Sequence, residues 1–438
     1  VKRPTRRALI VAFSAAAAAT MGVRAAGPIS IAVPGRASAN LSLASDGSSV
    51  VLVWSAAAAD GATDIYAATS GDGGATFSPP GRVNAEPGDA RANGEQPPRV
   101  SFVRRAGGVA QADVVWIAKR ASGTVLLTAR SFDLGSSVAA ARAPRFAATS
   151  VVGGSEAAGN RGWQSTAADS NGAVHVAWLD HRRLAERDSQ MAAMHHHDAG
   201  DPAPAPTATK PDGVAMAELS QVYFSTLDGS AARPVTGGVC YCCKTAMAAG
   251  PSGEIYLAWR HVYSGNLRDI AFAASRDGGR TFAAPVRVSE DKWAIEGCPE
   301  DGPVLGVDGD ARIHVVWPTV VTENGDMTKA LFHAVSRDGR SFSERSRLPS
   351  NGQANHPQLT FAGDGSLVVA WDESGGGRRI ALARGTPAPD GRVRFERMSS
   401  SGDRIGTYPA LAKTPGGFVL AWTTGDPARS TLRVESFK

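Results

Sequence analysis

The sequence predicts an all-β fold: a β-propeller of four-stranded blades, seven favoured over six, closed by an N-terminal strand. Three observations predict it. A short apolar strand ending in tryptophan recurs seven times, at Trp54, Trp116, Trp178, Trp259, Trp317, Trp371 and Trp422. Most copies are preceded by a second strand and a Gly-containing turn, which reads as a hairpin, and followed by two further strands. The tryptophans lie 51 to 81 residues apart, the length of one four-stranded unit repeated around a ring.

Taken in order, "PISIAVP" (Pro28 to Pro34) is a strand without a unit of its own. "LSLASDGSS" and VVLVW open the first unit, and DIYAATS and GRVN supply its third and fourth strands. ADVVW marks the second unit, and "STAADSNGA" leads into VHVAW of the third. IYLAW, DIAFAAS and VRVS belong to the fourth, and IHVVW to the fifth. "TFAGDGS" precedes LVVAW in the sixth, and "LAKTPGG" precedes FVLAW in the seventh. The last unit holds only three strands. The orphan strand is therefore expected to pair with the strand containing Leu432 to Phe437, which closes the ring and removes its free edges.

The ends bound the function class. Lys2, Arg3, Arg6 and Arg7 precede an apolar run over 8–23, the pattern of a signal peptide spanning 1–26. The pair Arg6-Arg7 resembles part of a twin-arginine signal. A periplasmic or secreted location and a mature propeller over 27–438 are expected. The chain carries 46 basic and 41 acidic side chains. Without Lys2, Arg3, Arg6, Arg7 and Arg24 the balance is 41 to 41, so the basic excess belongs to the signal and nothing points to nucleic acid. No later stretch is long enough to span a membrane.

Between the third and fourth strands lies another signature. "SGDGGATF" starts at Ser70, "SRDGGRTF" at Ser275, a looser "SFDLGSSV" at Ser131 and a shorter "SRDGRSF" at Ser336. These match the Asp-box, and on them the chain resembles the sialidase (neuraminidase) superfamily and its BNR-repeat relatives over nearly all of the mature length. Asp72, Asp133, Asp277 and Asp338 are expected to form turns rather than catalyse: the carboxylate satisfies turn amides while glycine takes the left-handed position. The family implies six blades, whereas the tryptophan count implies seven.

Aligning the units on their tryptophans lists the segments that lead into each innermost strand and so rim the central channel. They are "NRGWQS" (Arg161, Trp163, Gln164), "CYCCKT" (Cys240, Cys242, Cys243), "GCPEDGP" (Cys298, Glu300, Asp301), "ANHPQ" (His356) and "GTYPA" (Tyr408). All four cysteines thus fall at one channel mouth, on consecutive units. One reading is structural disulfides, as an even count in an exported protein suggests. Another is a soft metal held by Cys240, Cys242, Cys243, Cys298 and His356, copper before zinc. A reactive thiol is the third. An insertion over 183–218 adds Met191, Met194, His195, His196 and His197. It reads as a flexible accessory loop, with thioether and imidazole donors suited to copper.

The family resemblance implies an arginine triad, a Tyr–Glu nucleophile pair and an aspartic acid/base. The matching candidates are Arg161, Arg182, Arg260 and Arg268, with Tyr408 or Tyr241 and Asp180 or Asp372. The family's early Arg-Ile-Pro motif is missing, and cysteines, His356 and Trp163 occupy the rim instead. The pairing of "CYCCKTA" with "GCPEDGP" is also similar to a group of exported bacterial propellers called sialidase-like from their repeats alone. The expectation is an exported sialidase-like propeller with a copper-binding Cys/His mouth, for copper handling or redox chemistry. The alternatives are an exo-sialidase-type glycoside hydrolase and a propeller with structural disulfides that binds a small glycan or protein ligand.

Overall fold

Seven antiparallel sheets stand around a common axis as the blades of one propeller. The computed structural model describes residues 27–438 apart from 140, 198–212, 230, 296–298, 324, 389–390 and 400–402. The expected signal peptide lies outside these residues. The innermost strands are Ala37–Asp46, Arg99–Arg104, Arg161–Ala168, Ala246–Ala249, Val304–Val307, Ala354–Phe361 and Thr407–Thr414. Each touches the next, and the last touches the first, so the ring is closed. Blade 2 carries an extra strip, Ala90–Arg91, on the same partner strand as its inner strand.

The N-terminal strand Ile29–Ile31 completes blade 7, antiparallel to the C-terminal strand, with Ile29 opposite Val434 and Ile31 opposite Leu432. The expected closure is therefore what the chain does, with seven blades rather than six. Every tryptophan of the repeat is at most 2% exposed. Each belongs to a different apolar cluster, and each cluster lies between its own blade and the preceding one. The repeated residue is thus the residue that joins blade to blade. Its N–H is often satisfied two positions on: Trp178 donates to Asp180 at 3.0 Å and Trp371 to Glu373 at 2.9 Å.

The acidic turns behave as local staples. Asp72 and Asp277 each accept from the backbone N–H four residues later at 2.9 Å and from that threonine's hydroxyl at 2.6 Å. Asp338 accepts from the N–H groups of Arg340 and Ser341, and Asp133 from that of Gly135. Successive strands alternate in direction, so these turns sit at the opposite end of the propeller from the channel-lining lead-ins.

The insertion in blade 3 begins as a helix, Arg182–His197, and ends as a short helix, Gly213–Glu218. The first takes helical form. Leu, Ala, Arg, Glu, Gln and Met favour helix, and Asp180 accepts from the Arg182 N–H at 2.9 Å to start it. No helix among the described residues is long and apolar enough to cross a membrane.

Candidate functional site

Four inner strands open with the same irregularity. The pairing register slips between Ala39 and Ser42, Gly162 and Ser165, Asn355 and Gln358, and Thr407 and Ala410. Inside each slip one non-glycine residue is left-handed: Asn40, Trp163, His356 and Tyr408, with φ between 53° and 55°. Such backbone costs about 1–3 kcal/mol per residue, and a bulge re-aims the side chain it carries. The distorted positions all face one channel mouth, where two adjoining clusters form.

The first cluster surrounds His356. Its Nδ1 pairs with the Asp372 carboxylate, and its Nε2 lies 3.3 Å from Glu95 Oε1. The ring stacks on Tyr408 with centroids 3.9 Å apart. The His356 backbone N–H donates to Asp301 Oδ2 at 3.0 Å. Asp301 also lies 3.1 Å from Lys329 Nζ and 3.6 Å from Lys244 Nζ. Burial pushes the Glu95 carboxyl above its ordinary range, despite Lys244 and His356 nearby. Burial acts the same way on Asp301, but Lys329 and Lys244 outweigh it and hold that carboxyl low. Burial raises the Tyr408 phenol, with Glu95 and Asp372 adding to the effect. Below lies a channel cavity of ≈ 180 Å³ bordered by Arg99, Lys244, His356 and Tyr408.

The second cluster is sulfur. Cys240, Cys242 and Cys243 are buried, and their sulfurs lie within 4.8 Å of one another. Cys242 is disulfide-bonded, while Cys240 and Cys243 are free thiols. The Cys243 thiol donates to Cys240 Sγ at 3.5 Å, and Cys242 Sγ is 3.8 Å from the same atom. Arg268 Nη1 donates to Cys240 Sγ at 3.2 Å. The hydrogen bond from Cys243 lowers the Cys240 thiol to about 6 against the effect of burial, helped by Arg268 and Arg260. Burial, and then the neighbouring Cys240, push Cys243 well up. The lead-in is pinned at both ends: the Cys240 N–H donates to the Arg260 carbonyl at 2.9 Å and the Thr245 N–H to the Trp163 carbonyl at 3.0 Å. Cys298 lies outside the described residues.

His356 is not among the sulfurs. Among the described residues the compact group of possible ligand atoms is Cys240, Cys242 and Cys243 alone. The left-handed bulge turns the His356 ring toward Asp372 of its own blade, so both ring nitrogens face carboxylates. Arg161 and Arg260 are held by neighbouring groups. Arg161 pairs with Asp180 at 3.1 Å and donates to the carbonyls of Ala157, Ala158 and Gly159. Asp180 in turn holds Arg182 and Trp178. Arg260 donates to the carbonyls of Arg268 and Pro318, both at 2.7 Å, and stacks over Trp293. These groups brace lead-ins. Met191, Met194, His195, His196 and His197 fall in the last turns of the helix Arg182–His197, with their side chains outside the description.

Glu95 and Lys329 were not singled out in the sequence. For Glu95 a signal existed: aligning blade 2 on Trp116 places "NGEQPP" at the same lead-in as the cysteines and His356. Lys329 lies near the start of its blade's third strand, Asp326–Ser336, and no repeat position marks it.

No family model and no curated protein matches this chain. Solved structures do resemble it. The α-L-arabinofuranosidase of Fusarium graminearum, of family GH93, is 11% identical with a TM-score of 0.50, covering 94% of this chain and 98% of the other. A polysaccharide lyase of family PL25, an ulvan lyase, is 9% identical with a TM-score of 0.50, covering 93% and 95%. A Hadza microbial sialidase is 11% identical with a TM-score of 0.45, covering 86% and 73%. At such identity the likeness concerns the propeller fold alone.

Proposed function

We propose that the channel mouth binds one soft metal ion, cuprous copper first, through the sulfurs of Cys240 and Cys243. Cys242 joins as a third ligand once its disulfide is opened. The observation that carries this reading is the sulfur geometry. Separations of 3.5 Å and 3.8 Å match the roughly 3.8 Å between two thiolates that share an ion about 2.3 Å away at tetrahedral angles. Thiolates select soft ions. A monovalent ion held by two or three thiolates is a net anion, and the guanidiniums of Arg268 and Arg260 beside Cys240 supply the compensating charge. A disulfide at Cys242 fits an oxidising compartment, so the reading includes export, with the methionines and histidines of the blade 3 insertion as a capture segment.

The test is metal content beside a free-thiol count, on protein prepared with and without reductant. One equivalent of copper in wild type, lost in Cys243→Ser with the fold intact, is the expected result. Protein that takes up no copper or zinc in either state overturns the reading.

A second reading, glycoside cleavage, is favoured by Glu95. A buried carboxyl held above its usual range beside the charged Asp301 is the pairing that general acid chemistry at a glycosidic bond uses. Two propellers of this fold are by name an arabinofuranosidase and a polysaccharide lyase, an analogy of fold only. Turnover of arabinofuranosyl or sialyl substrates, lost in Glu95→Gln, tests it. Absence of turnover on either substrate class discards it.

A further inference from the structure

The sulfurs are also arranged to react with one another, and this needs no metal. Cys240 Sγ touches Cys242 Sγ at 3.8 Å, and Cys242 is already one half of a disulfide. A sulfur in contact with a disulfide sulfur is a nucleophile beside its electrophile. Two donors converge on Cys240 Sγ, Arg268 Nη1 at 3.2 Å and the Cys243 thiol at 3.5 Å. Both stabilise negative charge on the attacking atom. Arg268 is fully buried, and its Nη2 has no hydrogen-bond partner among the described residues, so Cys240 Sγ is the anionic neighbour its charge favours. The three cysteines are between 1% and 4% exposed, so reagents in bulk water reach them slowly while their neighbours are already in contact.

We infer that Cys240, Cys242 and Cys243 form an internal thiol–disulfide exchange centre, in which Cys240 opens the Cys242 disulfide and the bridge comes to rest between Cys240 and Cys243. In the first step the Cys240 thiolate attacks Cys242 Sγ. The Cys240–Cys242 bond forms, the bond from Cys242 to its former partner breaks, and that partner leaves as a thiolate. The released thiolate takes up a proton and Cys243 gives one up, so that charge and protons balance. In the second step the Cys243 thiolate attacks Cys240 Sγ, the Cys240–Cys243 bond forms and Cys242 leaves as a thiolate. One disulfide is consumed and one is made, so no external oxidant or reductant is required. The C-x-x-C spacing of Cys240 and Cys243 suits the final bridge. The inference goes beyond the metal reading and does not depend on it, although the exchange decides which sulfurs are free to bind an ion.

The experiment uses the full chain purified without reductant and held at neutral pH with a chelator, so that bound metal does not mask thiols. Samples are acid-quenched over time and alkylated, and their disulfides mapped by peptide mass spectrometry. Wild type is expected to accumulate a Cys240–Cys243 bridge with Cys242 alkylated. Cys243→Ser is expected to stop at Cys240–Cys242. Arg268→Gln is expected to slow the exchange about ten-fold or more, since it removes a charge-assisted bond to the nucleophile. A wild-type map in which Cys240 and Cys243 are both alkylated at every time, and Cys242 never is, overturns the inference whether or not the Arg268 variant folds. Loss of metal binding with this map intact would count against the metal reading alone.

Discussion

Asp301 joins the two halves of the channel mouth. Its carbonyl accepts from Arg260 at 3.3 Å and its backbone N–H reaches Cys243, while its carboxylate is held by Lys329, Lys244 and the His356 N–H. Its folded-state acidity is strengthened despite complete burial. A carboxyl held low in the folded state adds stability that is present above its unfolded value, about 3.9, and is lost as pH falls through the folded value. Asp301→Asn should therefore cost about 3 kcal/mol near neutrality, because two lysines are left facing a neutral group. The gap to wild type should close as the medium is acidified from about pH 4 downward. Denaturant melts across pH measure this, and a gap that stays constant would show that the charge is not what matters. His356 makes a contrasting case. With both ring nitrogens turned to carboxylates, His356→Gln should leave copper stoichiometry unchanged, whereas Cys243→Ser removes it. Equal loss in both variants would restore imidazole to the ligand set.

At the scale of single elements, chemistry and support occupy opposite ends of each blade. The Asp277 turn is closed by its own threonine and serine, and Gly279 within it is left-handed at φ 80°. A Cβ at Gly279 would come within 2.3 Å of the Phe224 ring of the preceding blade. Gly279→Ala should thus cost about 1–3 kcal/mol through strain and overpacking, and Asp277→Ala should lower the melting temperature. Both should leave metal content and disulfide exchange per folded molecule unchanged. A large change at the sulfurs with an intact melting temperature would mean that the two ends communicate. The blade 3 lead-in works in the opposite sense: Trp163 packs on the cysteines while its carbonyl holds Thr245, so the strained bulge is itself part of the sulfur site.

Across the whole molecule, stability depends on a circuit without ends. Seven interblade clusters each contain one tryptophan of the repeat, and the circuit closes through Ile29–Ile31 against the C-terminal strand. Removing residues 27–34 should expose the edge of Thr431–Phe437 as an unpaired template. Lower thermal stability and self-association are expected, read by melting and by light scattering on a sizing column. A truncated chain that melts as wild type and stays monodisperse would show that blade 7 holds with three strands.

The propeller, its seven blades and its closing strand were legible in the sequence, because each depends on short-range alternation and on one tryptophan recurring at the same place in every unit. The gathering of Cys240, Cys242, Cys243, Asp301, His356 and Tyr408 at one mouth was legible for the same reason: equivalent positions of a ring face the same axis. Which of them touch was not. The split into a sulfur cluster and a carboxylate–histidine cluster depends on bulges at Trp163, His356 and Tyr408 that turn each side chain in a way no residue spacing encodes. Arg161, Arg260 and Asp180 were named as candidates by residue type alone; Arg161 and Asp180 hold each other, and Arg260 is held by the carbonyls of Arg268 and Pro318, contacts that residue spacing does not encode. Sequence repetition determined where the channel mouth lies. Tertiary structure decided its chemistry, since burial and hydrogen bonding are set by how the blades meet.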